Sequence, residues 1–211
     1  PDSVTEIDKY AFYNCTKMTS VTLPDSIKSI GEAAFQSCTS LESVKMPLGV
    51  TVLNKNVFAY CKSLVNIDIH DNITTIGDAA FTRADSVKEI KLPEKLYSIG
   101  EEAFSMSAAL EKVTFGSELF YIGNRAFASD TSLKQVVFAE QSNFTYSGRE
   151  IFANCTSLEE IALPEGMAYI NTGAFKGCTL LKKINVPDSV TDIGENRSEE
   201  RRVGKECRSR W

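Results

Sequence analysis

One histidine, His70, and one tryptophan, Trp211, are all that the 211 residues carry of those two types. A lone imidazole leaves no histidine cluster for a metal centre. It is also a poor start for a nucleophilic triad, because nothing in its sequence surroundings supplies the group that would orient it. No apolar run approaches the ~20 residues that a membrane helix needs. Cations are scarce over most of the chain. Residues 197–211 hold six of the 23 Lys and Arg and three of the 28 Asp and Glu, which leaves 17 basic against 25 acidic residues, or −8, in the rest. That balance argues against nucleic acid, which demands clustered Lys and Arg, and against anionic membranes. Glycine-rich phosphate loops and paired metal motifs are missing too. No catalytic residue, cofactor or metal is therefore expected. The start lacks the charged-then-apolar signature of a leader, and Pro1 opens in mid-repeat without an initiator Met, so the chain reads as a fragment.

What the sequence does have is a period. Phe12, Phe35, Phe58, Phe81, Phe104, Phe127, Phe152 and Phe175 recur at gaps of 23 residues, with a single gap of 25 before Phe152. Other positions keep step: Leu41, Leu64 and Leu110 lie six residues after their Phe, Val44, Ile67 and Val113 three further on, and Met46, Ile69 and Phe115 two beyond that. The unit reads L-x-x-V-x-L-P-x-x-V-x-x-I-G-x-x-A-F-x-x-C-x-x. Self-similarity at such a period marks a solenoid.

Its pieces translate into structure. The Val-x-Leu alternation predicts a strand with one buried face, and Pro24, Pro47, Pro93, Pro164 and Pro187 end it where a missing N–H costs little. Four residues before Phe stand Gly31, Gly77, Gly100, Gly123 and Gly148, or else Asp8, Asn54 and Asn171, types that tolerate positive φ; a left-handed turn is expected there. From that turn to Phe, stretches such as Glu32–Ser37 predict about one helical turn. No unit can bury its apolar positions alone. Stacked in register, the strands form one parallel sheet ~4.8 Å apart, and the Phe, Leu and Ile columns share a core.

The strings Leu41–Pro47, Ile30–Phe35 and Phe152–Leu158 resemble the BspA-type leucine-rich repeat over about residues 1–196. The resemblance implies an α/β repeat fold: a right-handed leucine-rich-repeat solenoid with a parallel concave sheet and short helical turns on the convex side. That family is associated with surface and secreted proteins of host-associated anaerobic bacteria and some protists, and with adhesion to host proteins and other cells. A cell-surface or secreted location and a protein partner, such as a host extracellular or cell-surface protein, are what it implies here.

The expected organisation is about eight 23-residue repeats over 1–196, truncated at both ends, then a non-native or disordered tail over 197–211. The tail breaks composition, charge sign and period together and resembles translated sequencing-adapter sequence; a basic interaction tail is the alternative. Open sheet edges at the cut ends invite self-association. The two extra residues fall within Ala139–Gly148, either as a binding loop or as a tolerated insertion with Phe144 and Tyr146 partly filling the core. Cys15, Cys38, Cys61, Cys155 and Cys178 each lie three residues after Phe; one per coil, they read as a ladder of buried thiols, with transient disulfides among Cys15, Cys38 and Cys61 as the other reading. His70, where most units have Pro, reads as an exposed turn residue. Asn14, Asn72, Asn143 and Asn154 head N-x-Thr sequons, Asn72 and Asn143 being the better acceptors.

A binding role needs a surface, and the outward strand positions supply one. The candidate face comprises Lys45, Asn66, Asp68, Glu89, Lys91, Lys112, Thr114, Gln135, Glu160 and Lys183. Opposite charges neighbouring across strands, Lys45–Asp68–Lys91, Glu89–Lys112 and Glu160–Lys183, equally suit a sheet that stabilises itself. A non-catalytic protein-binding or adhesion module is the expected function, and a passive spacer projecting another domain is the alternative.

Overall fold

The computed structural model describes residues 3–194, so the expectation for 197–211 lies outside the described residues. Short parallel strands β1 to β17 alternate between two faces along the chain. On one face lie β1 (Glu6–Ile7), β3 (Ser29–Ile30), β5 (Val52–Leu53), β7 (Thr75–Ile76), β9 (Ser98–Ile99), β11 (Tyr121–Ile122), β13 (Tyr146–Ser147), β15 (Tyr169–Ile170) and β17 (Asp192–Ile193). On the other lie the Val-x-Leu strands: β2 (Ser20–Val21), β4 (Ser43–Lys45), β6 (Asn66–Asp68), β8 (Glu89–Lys91), β10 (Lys112–Thr114), β12 (Gln135–Val137), β14 (Glu160–Ala162) and β16 (Lys183–Asn185). A coil runs from an odd strand through the Phe segment to the next even strand, and about eight coils stack into a leucine-rich-repeat-like parallel β-solenoid. Pairing is in register at the sequence period: Ser43 meets Asn66 and Lys112 meets Gln135.

The odd-numbered face was not expected, because two residues are too short to show an alternating pattern. Neither face is one continuous sheet. The Val-x-Leu side divides into β2-β4-β6, β8-β10-β12 and β14-β16, and the odd side into β1-β3, β5 to β13 and β15-β17. The breaks after β12 and β13 flank the coil with two extra residues. These sit in the corner 139–143, which replaces the shorter corner 116–118 of the coil before. Phe144 then drops into the core, fully buried and 5.4 Å from Phe138, whereas Tyr146 stands 51% exposed rather than partly filling it.

The third side of each coil corrects the helical expectation: no helix occurs among the described residues, and the Phe segment is a run of turns. Its amides alternate. Ala33, Phe35 and Ser37 donate to the carbonyls of Lys55, Val57 and Ala59 in the next coil, at 2.9, 2.9 and 2.8 Å. Between them Ala34, Gln36 and Cys38 donate three residues back within their own coil. The same pattern holds from Tyr10–Glu32 to Asn154–Lys176, so this ladder, unlike the sheets, is unbroken. The geometry demands left-handed backbone two residues before and two after each Phe. Fourteen non-glycine residues, Tyr10 and Asn14 through Glu150 and Asn154, have φ of 50–65°, and Gly173 and Gly177 take the places in the last coil. Each left-handed residue costs roughly 1–2 kcal/mol, which the inter-coil bonds offset.

The glycines expected at positive φ are absent from that set. They stand where coils approach most closely: a Cβ on Gly123 would lie 2.6 Å from backbone atoms of Glu101 and Gly100. Where the column carries Asn, the side chain bonds the coil before instead, Asn54 Nδ2 donating to Ile30 O at 2.7 Å and Asn171 Nδ2 to Ser147 O. Inside, the phenylalanines from Phe12 to Phe175 stack along the axis, centroids 5.0–5.9 Å apart and rings within 24° of parallel.

Candidate functional site

On the Val-x-Leu strands, the central residues Val44, Ile90, Val113, Val136 and Ile161 point into the core, and their neighbours point outward. The outward set contains all ten candidate residues: Lys45, Asn66, Asp68, Glu89, Lys91, Gln135, Glu160 and Lys183 are exposed, and Lys112 and Thr114 half-buried. Register brings Lys45 beside Asp68, Glu89 beside Lys112, and Glu160 beside Lys183. Asp68 and Lys91 are not so joined, since β6 and β8 are not hydrogen-bonded neighbours; nothing in the sequence accounts for that break.

None of these opposite charges closes into an ion pair among the described residues. The pairs that do form lie elsewhere. Lys134–Glu111 at 2.9 Å and Lys182–Glu159 at 2.8 Å occupy the position just ahead of the strands, and Arg125 reaches Glu150 at 3.1 Å and Glu102 at 3.7 Å on the turn side. Hydrogen bonds from the two lysines hold the Glu111 and Glu159 carboxyls below the usual range. These exposed contacts contribute little to stability. The same 23-residue spacing that aligns Glu89 with Lys112 aligns Glu111 with Lys134, so the sequence carried that signal one position away.

The turn side is lined by chemistry of another kind. Thiols stack beneath the Phe column: Cys38, Cys61, Cys155 and Cys178 are free and buried, and Cys15 is half-buried and free. Each buried Sγ–H donates to the Phe carbonyl of the coil before, at 3.1–3.2 Å. Burial pushes Cys38 and Cys178 up to about 11 and Cys61 to about 12, so these are inert thiols. Asp130 stands in the same column with no exposed surface. Its Oδ1 accepts from the Ser107 amide at 2.8 Å and its Oδ2 has no partner among the described residues, and burial drives its pKa well up. Among the described residues no group of three or more His, Cys, Asp or Glu is placed to hold a metal ion.

His70 is not the exposed turn residue expected. It is half-buried, Nε2 donating to Pro47 O at 2.9 Å and Nδ1 accepting from the Asn72 amide at 3.2 Å. Both nitrogens are occupied in bridging two coils, which the sequence could not show. The sequon side chain of Asn72 is also engaged, donating to Leu48 O at 3.1 Å.

A second feature was missed along with the odd-numbered face: the exposed rings of Tyr97, Tyr121, Tyr146 and Tyr169, with half-buried Phe120 among them, on or beside β9 to β15.

Comparison with known proteins agrees with this architecture. The family model described as "BspA type Leucine rich repeat region (6 copies)" matches residues 1–93 and 74–199. No curated protein sequence matches the chain. Among solved structures, a leucine-rich repeat protein from Bacteroides ovatus ATCC 8483 is 24% identical, with a TM-score of 0.61 over 92% of this chain and 67% of that one. The pneumococcal vaccine antigen PcpA is 18% identical, with a TM-score of 0.57 over 95% of this chain and 50% of that one. At such identities the likeness is one of fold. With stacked phenylalanines, in-register strands and a family model spanning nearly its whole length, the chain belongs to the BspA-type leucine-rich repeat family.

Proposed function

We propose that the chain is a non-catalytic binding module, presented at a cell surface or secreted, that grips a protein partner through the outward face of its Val-x-Leu strands. The observation that carries this reading is the contrast in charge use. Lys45, Asp68, Glu89, Lys112, Glu160 and Lys183 stand on paired strands, aligned with opposite charges yet closing no ion pair among the described residues, and Lys91 has Thr114 as its register neighbour, whereas Glu111–Lys134 and Glu159–Lys182 beside them do close. Charges held on a rigid backbone and not spent on one another are available to complementary charges on a partner. The occupied ring of the sole histidine and the inert thiols fit a module without catalysis.

The test is capture of host serum and extracellular-matrix proteins by the immobilised chain. Lys91→Glu with Lys112→Glu should abolish capture at an unaltered melting temperature; undiminished capture by that variant would overturn this face. The unbroken turn-side ladder favours a second reading, a stiff spacer projecting another domain, under which every substitution on the Val-x-Leu face leaves capture unchanged.

A further inference from the structure

One column of the turn side is filled by residues that reach back to the coil before. The thiols of Cys38, Cys61, Cys155 and Cys178 donate to the carbonyls of Phe12, Phe35, Phe127 and Phe152, and the Ser107 hydroxyl donates to that of Phe81 at 3.4 Å. Burial keeps the proton on each thiol, so these bonds persist as pH changes. Asp130 is the one acid in the column. By the 26-residue step that joins Cys61 to Phe35 and Ser107 to Phe81, Phe104 O is the acceptor that falls to it. A carboxyl can donate there only while protonated; ionised, both its oxygens are acceptors.

The neighbours have already adjusted to this carboxyl. In the coils of Cys38, Cys61 and Cys155, the amide of the column residue closes the turn onto its own Phe carbonyl at 3.2–3.3 Å. The Ser107 amide donates instead to Asp130 Oδ1 at 2.8 Å. Oδ2 has no partner among the described residues, and the side chain has no exposed surface. Nothing nearby compensates a charge. The coil after presents Cys155, a thiol kept neutral first by burial and then by Asp130 itself. The coil before presents uncharged Ser107, and among the described residues no cation acts on the carboxyl. Ionisation therefore removes a donor, sets oxygen against oxygen, and leaves a buried charge on one hydrogen bond, an arrangement that is costly unless relieved.

The joint beside it is short of other bonds. Between the sixth and seventh coils, β12 and β14 are not hydrogen-bonded neighbours. The coils are joined by β11 to β13, by the amides of Arg125, Phe127 and Ser129 donating to Arg149, Ile151 and Ala153, and by the Cys155 thiol on Phe127 O. Asp130 follows Ser129 directly, so displacing the carboxyl moves the last rung of that ladder.

We propose that Asp130 is a proton-operated latch. With its proton, the carboxyl ties the sixth coil to the fifth through Ser107 N and Phe104 O. Without it, the segment from Ser129 to Leu133 swings out, the joint to the seventh coil loosens, and Cys155 becomes reachable from solvent. The joint divides the Val-x-Leu face between Gln135 and Glu160, so the latch sets whether the two parts present one surface. That consequence rests on the binding reading of the face; the latch does not. The sign follows from burial, which raises the folded pKa: the latch is closed in acid. Opening grows as pH rises above the unfolded value of about 4, by up to about tenfold per pH unit until the folded value is passed.

The experiment is site-resolved labelling of the whole chain with a dithiodipyridine, read by peptide mass spectrometry in a pH series with no partner present. Cys38, Cys61 and Cys178 serve as internal references for the reactivity of the thiols themselves. The ratio of Cys155 to Cys38 labelling should climb with pH by up to about tenfold per unit, while the ratio of Cys61 to Cys38 holds. Asp130→Asn, whose amide can accept from Ser107 and donate to Phe104 O without titrating, should hold the Cys155 ratio flat. Circular dichroism verifies that this variant folds; Asp130→Ser, the residue that the column already carries at Ser107, is expected to be equally flat and serves if it does not. Three results would each overturn the proposal: a Cys155 ratio indifferent to pH in the native chain, the same climb in the folded variant, or all the buried thiols rising together, which is unfolding of the whole array.

Discussion

The turn side and the two sheet sides hold the coils together by different means. The sheets pair two or three residues per coil, are built from ordinary extended backbone, and are interrupted twice each. The turn side spends left-handed backbone on two residues in every coil and in return hydrogen-bonds each coil to the next without a break, above a continuous stack of phenylalanines. Where the chain takes in two extra residues, both sheets part while the ladder from Arg125, Phe127 and Ser129 to Arg149, Ile151 and Ala153 continues. Regular pairing is thus expendable at the corners, and the turn side is the spine.

If so, the largest losses should come from the turn side. Phe81→Ala, which opens a cavity inside the ring stack, should cost ~3–5 kcal/mol, against ~1 kcal/mol for Ile161→Val under the sheet; urea unfolding of both variants gives the comparison, and a smaller loss at Phe81 would break it. Next comes the corner between the odd strands and the turn side. Gly123→Ala forces a Cβ onto the backbone of the coil before and should cost ~1–3 kcal/mol. Gly123→Asn should lose less, because an amide there can bond the preceding coil as Asn54 does.

The buried carboxyl sharpens the picture through pH. Burial raises the pKa of Asp130 in the fold, so its contribution is fully present below the unfolded value of about 4 and falls as pH rises above it, towards the folded value. Asp130→Cys, which restores the residue most coils use, should therefore gain on the native protein as pH rises above about 4. Parallel melting curves across that range would remove the assignment. Smaller again, Ala79→Gly at φ 50° should stabilise by up to ~1 kcal/mol by relieving left-handed strain, as the last coil already does with Gly173. Lys134→Ala should leave the melting temperature unmoved, since the ion pair it breaks is exposed.

The core and the candidate face were legible because a period of 23 repeats the same burial decision eight times. Phe35, Leu41 and Val44 announce an interior, and Lys45 beside Val44 announces an outside, whatever the turns between them do. The turn side was not legible. Ala79, Arg83, Glu102 and Met106 are good helix formers, and the amides next to them, such as those of Ala80, Thr82 and Ser105, do bond three residues back, as in a helix; only the next coil, by accepting from Ala79, Arg83, Glu102 and Met106 themselves, draws these four into left-handed backbone. The aromatic rings of the odd-numbered face were present at the same period, 23 residues from Tyr97 to Phe120 and from Tyr146 to Tyr169. Without the two-residue strands they had no face to belong to.

By itself, then, the amino-acid order decided that this chain coils, how long each coil is, which side chains line the interior and which thiols it conceals, since those follow from apolar spacing along one strand of peptide. The stacked coils decided the rest: that helix-prone residues turn left-handed, that glycine is required by crowding rather than by φ, that a histidine ring bridges two coils, and that five scattered aromatics share one face. Each of these depends on a hydrogen bond or a contact to a residue some 23 positions away, and no local window of sequence contains both partners.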